Sequence, residues 1–173
     1  VLSALCALQL GWGPQLAAAL VFTWVLLALA VIDLRTQLLP DDLTLPLLWL
    51  GLGLSLFAVF ASPQSAIVGA MAGYLSLWGV FQLFRLVTGK EGMGYGDFKL
   101  LAAIGAWLGW QALPMVILLS SLVGALVGIG MVVFLRHDRR VPIPFGPYLA
   151  AAGWLALMYG DPLQSAYFHA AGL

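Results

Sequence analysis

Apolar residues run along this chain in long blocks, interrupted at short intervals by clusters of proline, glycine and charge. A helix needs about 20 apolar residues to cross a bilayer. Blocks of that kind fall near 14–33, 43–61, 65–87, 115–135 and 142–160, with a shorter one near 97–111. The breaks come where turn residues crowd together: LLPDD at 38–42, ASPQS at 61–65, TGKEGMGYG at 88–96, QALP at 111–114 and RHDRRVPIP at 136–144. This pattern predicts an all-α protein, a polytopic transmembrane helical bundle with about six spans. Pro40 followed by Asp41 and Asp42 predicts a helix start, with an aspartate accepting from free N–H groups. The opening VLSALCALQL has no basic residues ahead of its apolar run, unlike a secretory signal. Residues 1–12 are therefore expected to be the tail of a preceding helix, and 13–173 the membrane domain, which makes the chain a piece of a longer protein.

Composition agrees with the pattern. Of 173 residues, 63% are hydrophobic and 8% charged, and the mean hydropathy is +1.04. A water-soluble domain has roughly a quarter of its residues charged, so the lipid bilayer is the solvent here. Seven basic and seven acidic residues cancel, and no charge excess points to nucleic acid. Cys6 stands alone, which excludes an internal disulfide and a cysteine-built metal site. It is expected to be inert packing.

The basic residues give a sidedness. Arg35 follows the first span, Arg85, Lys90 and Lys99 border the third connection, and Arg136, Arg139 and Arg140 occupy the fifth. These connections share one face of a six-span bundle, and basic connections face the cytoplasm. Asp33, Asp41, Asp42, Glu91, Asp97 and Asp138 belong to the same end. Trp12, Trp49, Trp107, Trp110 and Trp154 lie near span ends, as an interfacial belt would.

Two of the acids fall at membrane depth. The block from Phe98 to Trp110 covers only about 20 Å as a helix, against about 30 Å of hydrocarbon. This places Asp97 inside the inner boundary, on a glycine loop dipping into the membrane. Gly94 and Gly96 suit such a loop because they permit positive φ and close backbone approach. Asp33 ends the apolar run ALVFTWVLLALAVI, and an ionisable residue there points to function. If the two carboxyl groups meet, one keeps the proton while the other activates water against a carbonyl carbon. The residues alone leave three readings open: helix caps or headgroup contacts, the proton relay of a proton-coupled transporter, and a hydrolytic pair. His137 and His169 lie apart, and no clustered His/Glu set suggests a metal.

Three ordered blocks, VIDLRTQLLPDDLTLPLLWLGL at 31–52, VTGKEGMGYGDFKLLAAIGAWLGWQ at 87–111 and PIPFGPYLAAAGW at 142–154, resemble the type IV prepilin peptidase family. Its members are membrane aspartic proteases of the Gly-x-Gly-Asp class. The resemblance implies that Asp33 and Asp97 are the catalytic acids and that Gly94 and Gly96 form the active-site loop. It implies action at the bacterial inner membrane, with the site facing the cytosol. The implied substrates are type IV prepilins and type II secretion pseudopilins, cut after a glycine between a basic leader and an apolar segment. No cofactor is implied for peptidase activity. Many members also N-methylate the new terminus with S-adenosylmethionine, and those carry a zinc-binding insert with paired Cys-x-x-Cys motifs. This chain has no such insert, so the resemblance implies the peptidase half.

Close relatives often place a second acid two positions after the first catalytic Asp, where this chain has Arg35. Arg35 and Lys99 are candidate substrate contacts, since the family's mature segment begins near a glutamate. Headgroup contact is the competing expectation for both. Asp41, Asp42 and Glu91 are caps or attractors of the basic leader. Gly69/Gly73 and Gly124/Gly128 are small-xxx-small pairs expected to pack helices together. PIPFGP at 142–147 is expected to stiffen the entry to the last span, with a substrate-facing role as the alternative.

Overall fold

The computed structural model describes the backbone of residues 1–89, 93–134 and 144–171, and the side chains of all of these except 131–134 and 161–171. Among the described residues the chain is helical, with no strand. The helices are α1 (Leu2–Leu10), α2 (Pro14–Thr36), α3 (Asp41–Ser55), α4 (Pro63–Thr88), α5 (Tyr95–Leu108), α6 (Leu113–Phe134) and α7 (Gly146–Ala171). A 3-10 turn at Trp110–Ala112 joins α5 to α6, and α7 is kinked at Tyr159 (φ −129°, ψ 23°).

Local chemistry explains most of the boundaries. Proline stands in the first turn of both α2 and α4, where its missing N–H costs nothing. Ser62 caps α4 by accepting from Ser65 N–H at 3.3 Å. Gly89 closes α4 in the left-handed region at φ 69°. Helix α3 begins at Asp41 as expected, but its N-cap is Pro40 and neither aspartate makes a side-chain cap bond. It also stops at Ser55, short of the expected 61, because the chain turns through Ala58 at φ 48°.

Among the described residues, three stretches are long and apolar enough to cross a membrane: Pro14–Thr36, Pro63–Thr88 and Trp110–Gly130. The protein is thus a helical membrane bundle, though six spans are more than these lengths establish. At 15 and 14 residues, α3 and α5 cover about 21–23 Å each.

Helix α5 lies at the centre. From Asp97 to Trp107 all of its residues except Lys99 are buried. It packs most closely on α4 and α3, then on α7, and glycines bring those helices to it. A methyl group at Gly73 would meet the Leu101 carbonyl oxygen at 2.6 Å, and one at Gly69 would collide with the Gly105 carbonyl. Gly51 on α3 lies against the Trp107 ring, and Gly153 on α7 would hold a methyl 2.8 Å from Ile104 Cδ1. In lipid, where apolar side chains gain nothing by leaving the solvent, such close contact is what holds helices together. The expectation for Gly69/Gly73 is therefore met.

Trp107 departs from the interfacial belt. It is 1% exposed, stacks at 4.7 Å on Phe22, and donates Nε1–H to the Leu47 carbonyl at 2.8 Å. Burial of an indole needs that acceptor. Trp154 is half-buried and donates to Thr23 Oγ1 at 3.1 Å. Trp12, Trp49 and Trp110 remain exposed, as the belt requires.

The contacts also give the bundle two distinct ends. Asp33 at the end of α2 meets Gly146 at the start of α7, and Lys99 near the start of α5 meets Asp41 at the start of α3. Phe81, late in α4, packs on Tyr95 and Phe98. Arg35, Arg85 and Lys99 therefore share one end with Asp33, Asp41 and Asp97. At the other end, Ser65 Oγ donates to Gln111 Oε1 and Gln15 Nε2 to the Val59 carbonyl. Lys90, Glu91, Arg136, Asp138, Arg139 and Arg140 lie outside the described residues.

The seam between α4 and α5 gives a stability test. Gly69→Leu should destabilise the protein by about 1–3 kcal/mol, since backbone stands where the side chain must go. Gly53→Ala, on an open face of α3 with nothing within 4 Å, should be neutral or stabilising by up to about 1 kcal/mol. Unfolding titrations in mixed micelles compare the two, and equal behaviour would contradict the seam.

Candidate active site

Asp33 lies in the last turn of α2 and is 5% exposed. Its backbone carbonyl accepts from Gln37 N–H at 2.8 Å, with Gln37 in the left-handed region at φ 55°. Thr36 Oγ1 donates to the Ile32 carbonyl at 2.9 Å. These bonds end the helix and fix its last turn. The Asp33 carboxylate then accepts from the Gly146 N–H, with Oδ2 at 3.0 Å.

That donor is free for a clear reason. A helix leaves its first N–H groups without partners. In α7, Pro147 has none to offer, and the Tyr148 and Leu149 N–H groups bond to the Phe145 carbonyl at 3.1 and 3.2 Å. Gly146 N–H is left over, and Asp33 takes it. A side chain at position 146 would remove the space, since a methyl there would stand 2.6 Å from Asp33 Oδ2.

Asp97 occupies the third position of α5, with Gly94 as the N-cap, and is 7% exposed. Its N–H donates to the Gly94 carbonyl at 3.3 Å, and its carboxylate faces the Gly94 N–H. The placement is that of the third residue of a capping box, with an aspartate where Glu or Gln is usual. Each acid thus rests at the positive end of a helix, Asp97 on its own α5 and Asp33 on α7. The carboxylates lie close enough to interact electrostatically. The structure therefore brings together the two acids that are 64 positions apart in the sequence.

Asp97 is helical, not on a dipping loop. Gly94 has extended backbone (φ −81°, ψ 149°) and makes no use of positive φ. Gly96 serves close approach instead: a methyl there would come within 2.7 Å of Leu39 Cβ. The same leucine lies 3.2 Å from where a methyl at Gly146 would stand, through Cδ1. Leu39 thus wedges between the α5 start and the α7 start, beside both acids.

Lys99 points away from Asp97, as a spacing of two on a helix requires. Its Nζ reaches both Asp41 oxygens, at 2.6 and 2.8 Å. Arg35 is exposed on the last turn of α2. Asp42 is exposed beside Asp41. Of PIPFGP, Pro142 and Ile143 fall outside the described residues, while Gly146 is the donor to Asp33. Leu39 and Gly146 had no chemical signature in the sequence beyond their place in LLPDD and PIPFGP. Among the described residues no group of three or more His, Cys, Asp or Glu gathers to hold a metal.

Comparison with known proteins places this geometry in context. The chain matches the Type IV leader peptidase family over residues 20–129, which includes both acids. It is similar to the curated "Prepilin leader peptidase/N-methyltransferase" of Aeromonas hydrophila, 63% identical over 157 residues, or 91% of this chain and 53% of that protein. The proteins of the same name from Pseudomonas aeruginosa and Stutzerimonas stutzeri are 58% and 56% identical, over 99% and 100% of this chain and 59% and 60% of theirs. The chain thus spans a little over half the length of these relatives. No solved structure matches it. With more than half of its residues inside the family match, and with Asp33 and Asp97 within that stretch, the chain belongs to the type IV leader peptidase family.

Proposed function

We propose that this chain carries an aspartic endopeptidase activity that removes the basic leader from type IV prepilins and type II secretion pseudopilins. Cutting falls after a glycine at the cytoplasmic face of the inner membrane. The observation that carries the reading is the meeting of Asp33 and Asp97, both buried, with Asp33 anchored by the Gly146 N–H and Asp97 facing that of Gly94. Anchoring leaves the outer carboxylate oxygens for a water molecule and a peptide carbonyl. The ionised partner takes the proton of the water, which attacks the carbonyl carbon. The protonated partner donates to the oxygen that turns negative. As the tetrahedral intermediate collapses, a proton passes to the leaving nitrogen and the C–N bond breaks. The pair shares both roles, so neither acid is the base by itself. The apolar segment of the substrate enters from the lipid, and the basic leader stays at the charged end of the bundle.

The relatives' names include N-methyltransferase activity, for which S-adenosylmethionine would supply the methyl group. Among the described residues, one cavity beside the start of α7 is lined by Leu26, Leu27, Ala30 and Trp154, and another by Leu77, Val80, Ile117 and Phe145. Such apolar walls do not fit a charged sulfonium with an amino-acid tail, so no methyl-transfer step is assigned to these residues.

A synthetic peptide with a basic leader and a Gly–Phe junction tests the reading. The purified protein should cut it, and Asp33→Asn and Asp97→Asn should each slow cutting by on the order of 10²–10⁴-fold without loss of folding. Normal cutting by either variant would contradict the pair mechanism. Proton-coupled transport would instead show as solute flux in liposomes, blocked by the same changes. Gly146→Ala and Gly96→Ala, which push on Asp33 and on Leu39, should each lower kcat by on the order of tenfold to a hundredfold with KM little changed. Steady-state kinetics on the same peptide checks this.

A further inference from the structure

We propose that the Lys99–Asp41 ion pair is a positioning device for the two acids: it seats Leu39 between the first turns of α5 and α7 and so sets the gap between Asp97 and Asp33. The inference rests on the peptidase reading above and adds residues to it. Lys99 is two residues past Asp97, and Asp41 two residues past Leu39. Lys99 Nζ holds both oxygens of Asp41, at 2.6 and 2.8 Å. The pair thus ties the start of α3 to the turn of α5 that carries Asp97.

The segment between is stiff enough to transmit that tie. Gln37 is locked in the left-handed region by its bond to the Asp33 carbonyl. Pro40 fixes its own φ at −69°, and its carbonyl accepts from Thr44 N–H and Thr44 Oγ1, both at 3.1 Å. Leu39 sits between these fixed points, and its side chain touches Gly96, the residue before Asp97, and Gly146, the donor to Asp33. With the pair intact, Leu39 is a spacer of one length. Without it, the first turn of α3 loses its tether to the first turn of α5, and Leu39 is held less firmly in the gap.

The ion pair is partly exposed, at 28% for Lys99 and 53% for Asp41. Exposed pairs contribute little to stability, so its consequence is expected in geometry and not in the unfolding midpoint. Both charges are engaged with each other, which makes Lys99 a poor contact for an acidic substrate residue and Asp41 a poor attractor of a basic leader.

The test is a double-mutant cycle on the purified chain with the same leader peptide. Lys99→Met and Asp41→Asn should each lower kcat on the order of tenfold with KM nearly unchanged, and the double variant should be no worse than either. Lys99→Arg should retain most of the activity, and Leu39→Ala should reproduce the kcat loss. Additive losses would overturn the proposal, as would a raised KM in Lys99→Met beside a normal Asp41→Asn, the mark of direct substrate contact. A kcat loss that follows a lowered unfolding midpoint would reduce the pair to a structural strap and overturn it too. A readout free of activity keeps the two readings separable. The carboxyl carbon resonances of Asp33 and Asp97 should shift in Lys99→Met and stay in place in Gly53→Ala. Unmoved resonances in Lys99→Met would refute the positioning role even if the wild type cuts no peptide.

Discussion

A carboxylate withdrawn from water must find hydrogen-bond donors or lose its charge, and in this bundle each buried acid finds one backbone N–H at the start of a helix. Asp33 takes the N–H of Gly146, and Asp97 faces that of Gly94. Helix starts are where such groups are unclaimed, and the helix dipole adds to the attraction. The cost of burying the charges is thus met by backbone, with no basic side chain paired to either acid among the described residues. A guanidinium or ammonium paired with either acid would hold it ionised through the reaction and prevent the exchange of a proton between the two. Among the described basic residues, Lys99 is held on Asp41 while Arg35 and Arg85 are exposed, and none of them pairs with either acid.

Everything else in the fold serves to carry those two helix starts to one place. Helix α5 is too short to span the bilayer alone and is enclosed by α3, α4 and α7. Gly51, Gly69, Gly73 and Gly153 remove the side chains that would hold those helices away. Trp107, near the far end of α5, donates to the Leu47 carbonyl and resists sliding of α5 along α3. Because a helix is rigid along its length, fixing that end fixes Asp97 at the other. Helix α7 is placed from the opposite side, by α2 and α6.

Much of this was legible in the sequence. Block lengths and turn clusters located the helices, the sparse charge named the solvent, and the basic residues sorted the ends. Asp33 and Asp97 stood out because acids are rare in apolar runs. Gly69 and Gly73 were legible through their spacing of four. Other features were hidden for physical reasons. Lipid is as apolar as a protein core, so a membrane helix has no polar face to say which side meets its neighbours. That hid the burial of Trp107 and the partner of Gly51. Leu39 is one apolar residue among many, and only its contact with two glycines gives it a role. The Lys99–Asp41 pair joins positions 58 apart, and nothing local marks either as the other's partner. Asp97 was expected on a loop because the glycines ahead of it and the short apolar block after it suggested irregular backbone, yet a glycine at the first turn of a helix can equally serve to let a neighbour approach.

The central claim is the close approach of the carboxyl groups of Asp33 and Asp97 within the helical bundle. The chain holds six aspartates, so carbon-13 labelling of aspartate alone gives a spectrum simple enough to assign. Solid-state correlation spectroscopy of the protein in lipid should show a through-space cross-peak between the two carboxyl carbons, absent when either residue is asparagine. Two well-resolved carboxyl signals with no correlation between them, in membranes where the protein is folded, would contradict the account.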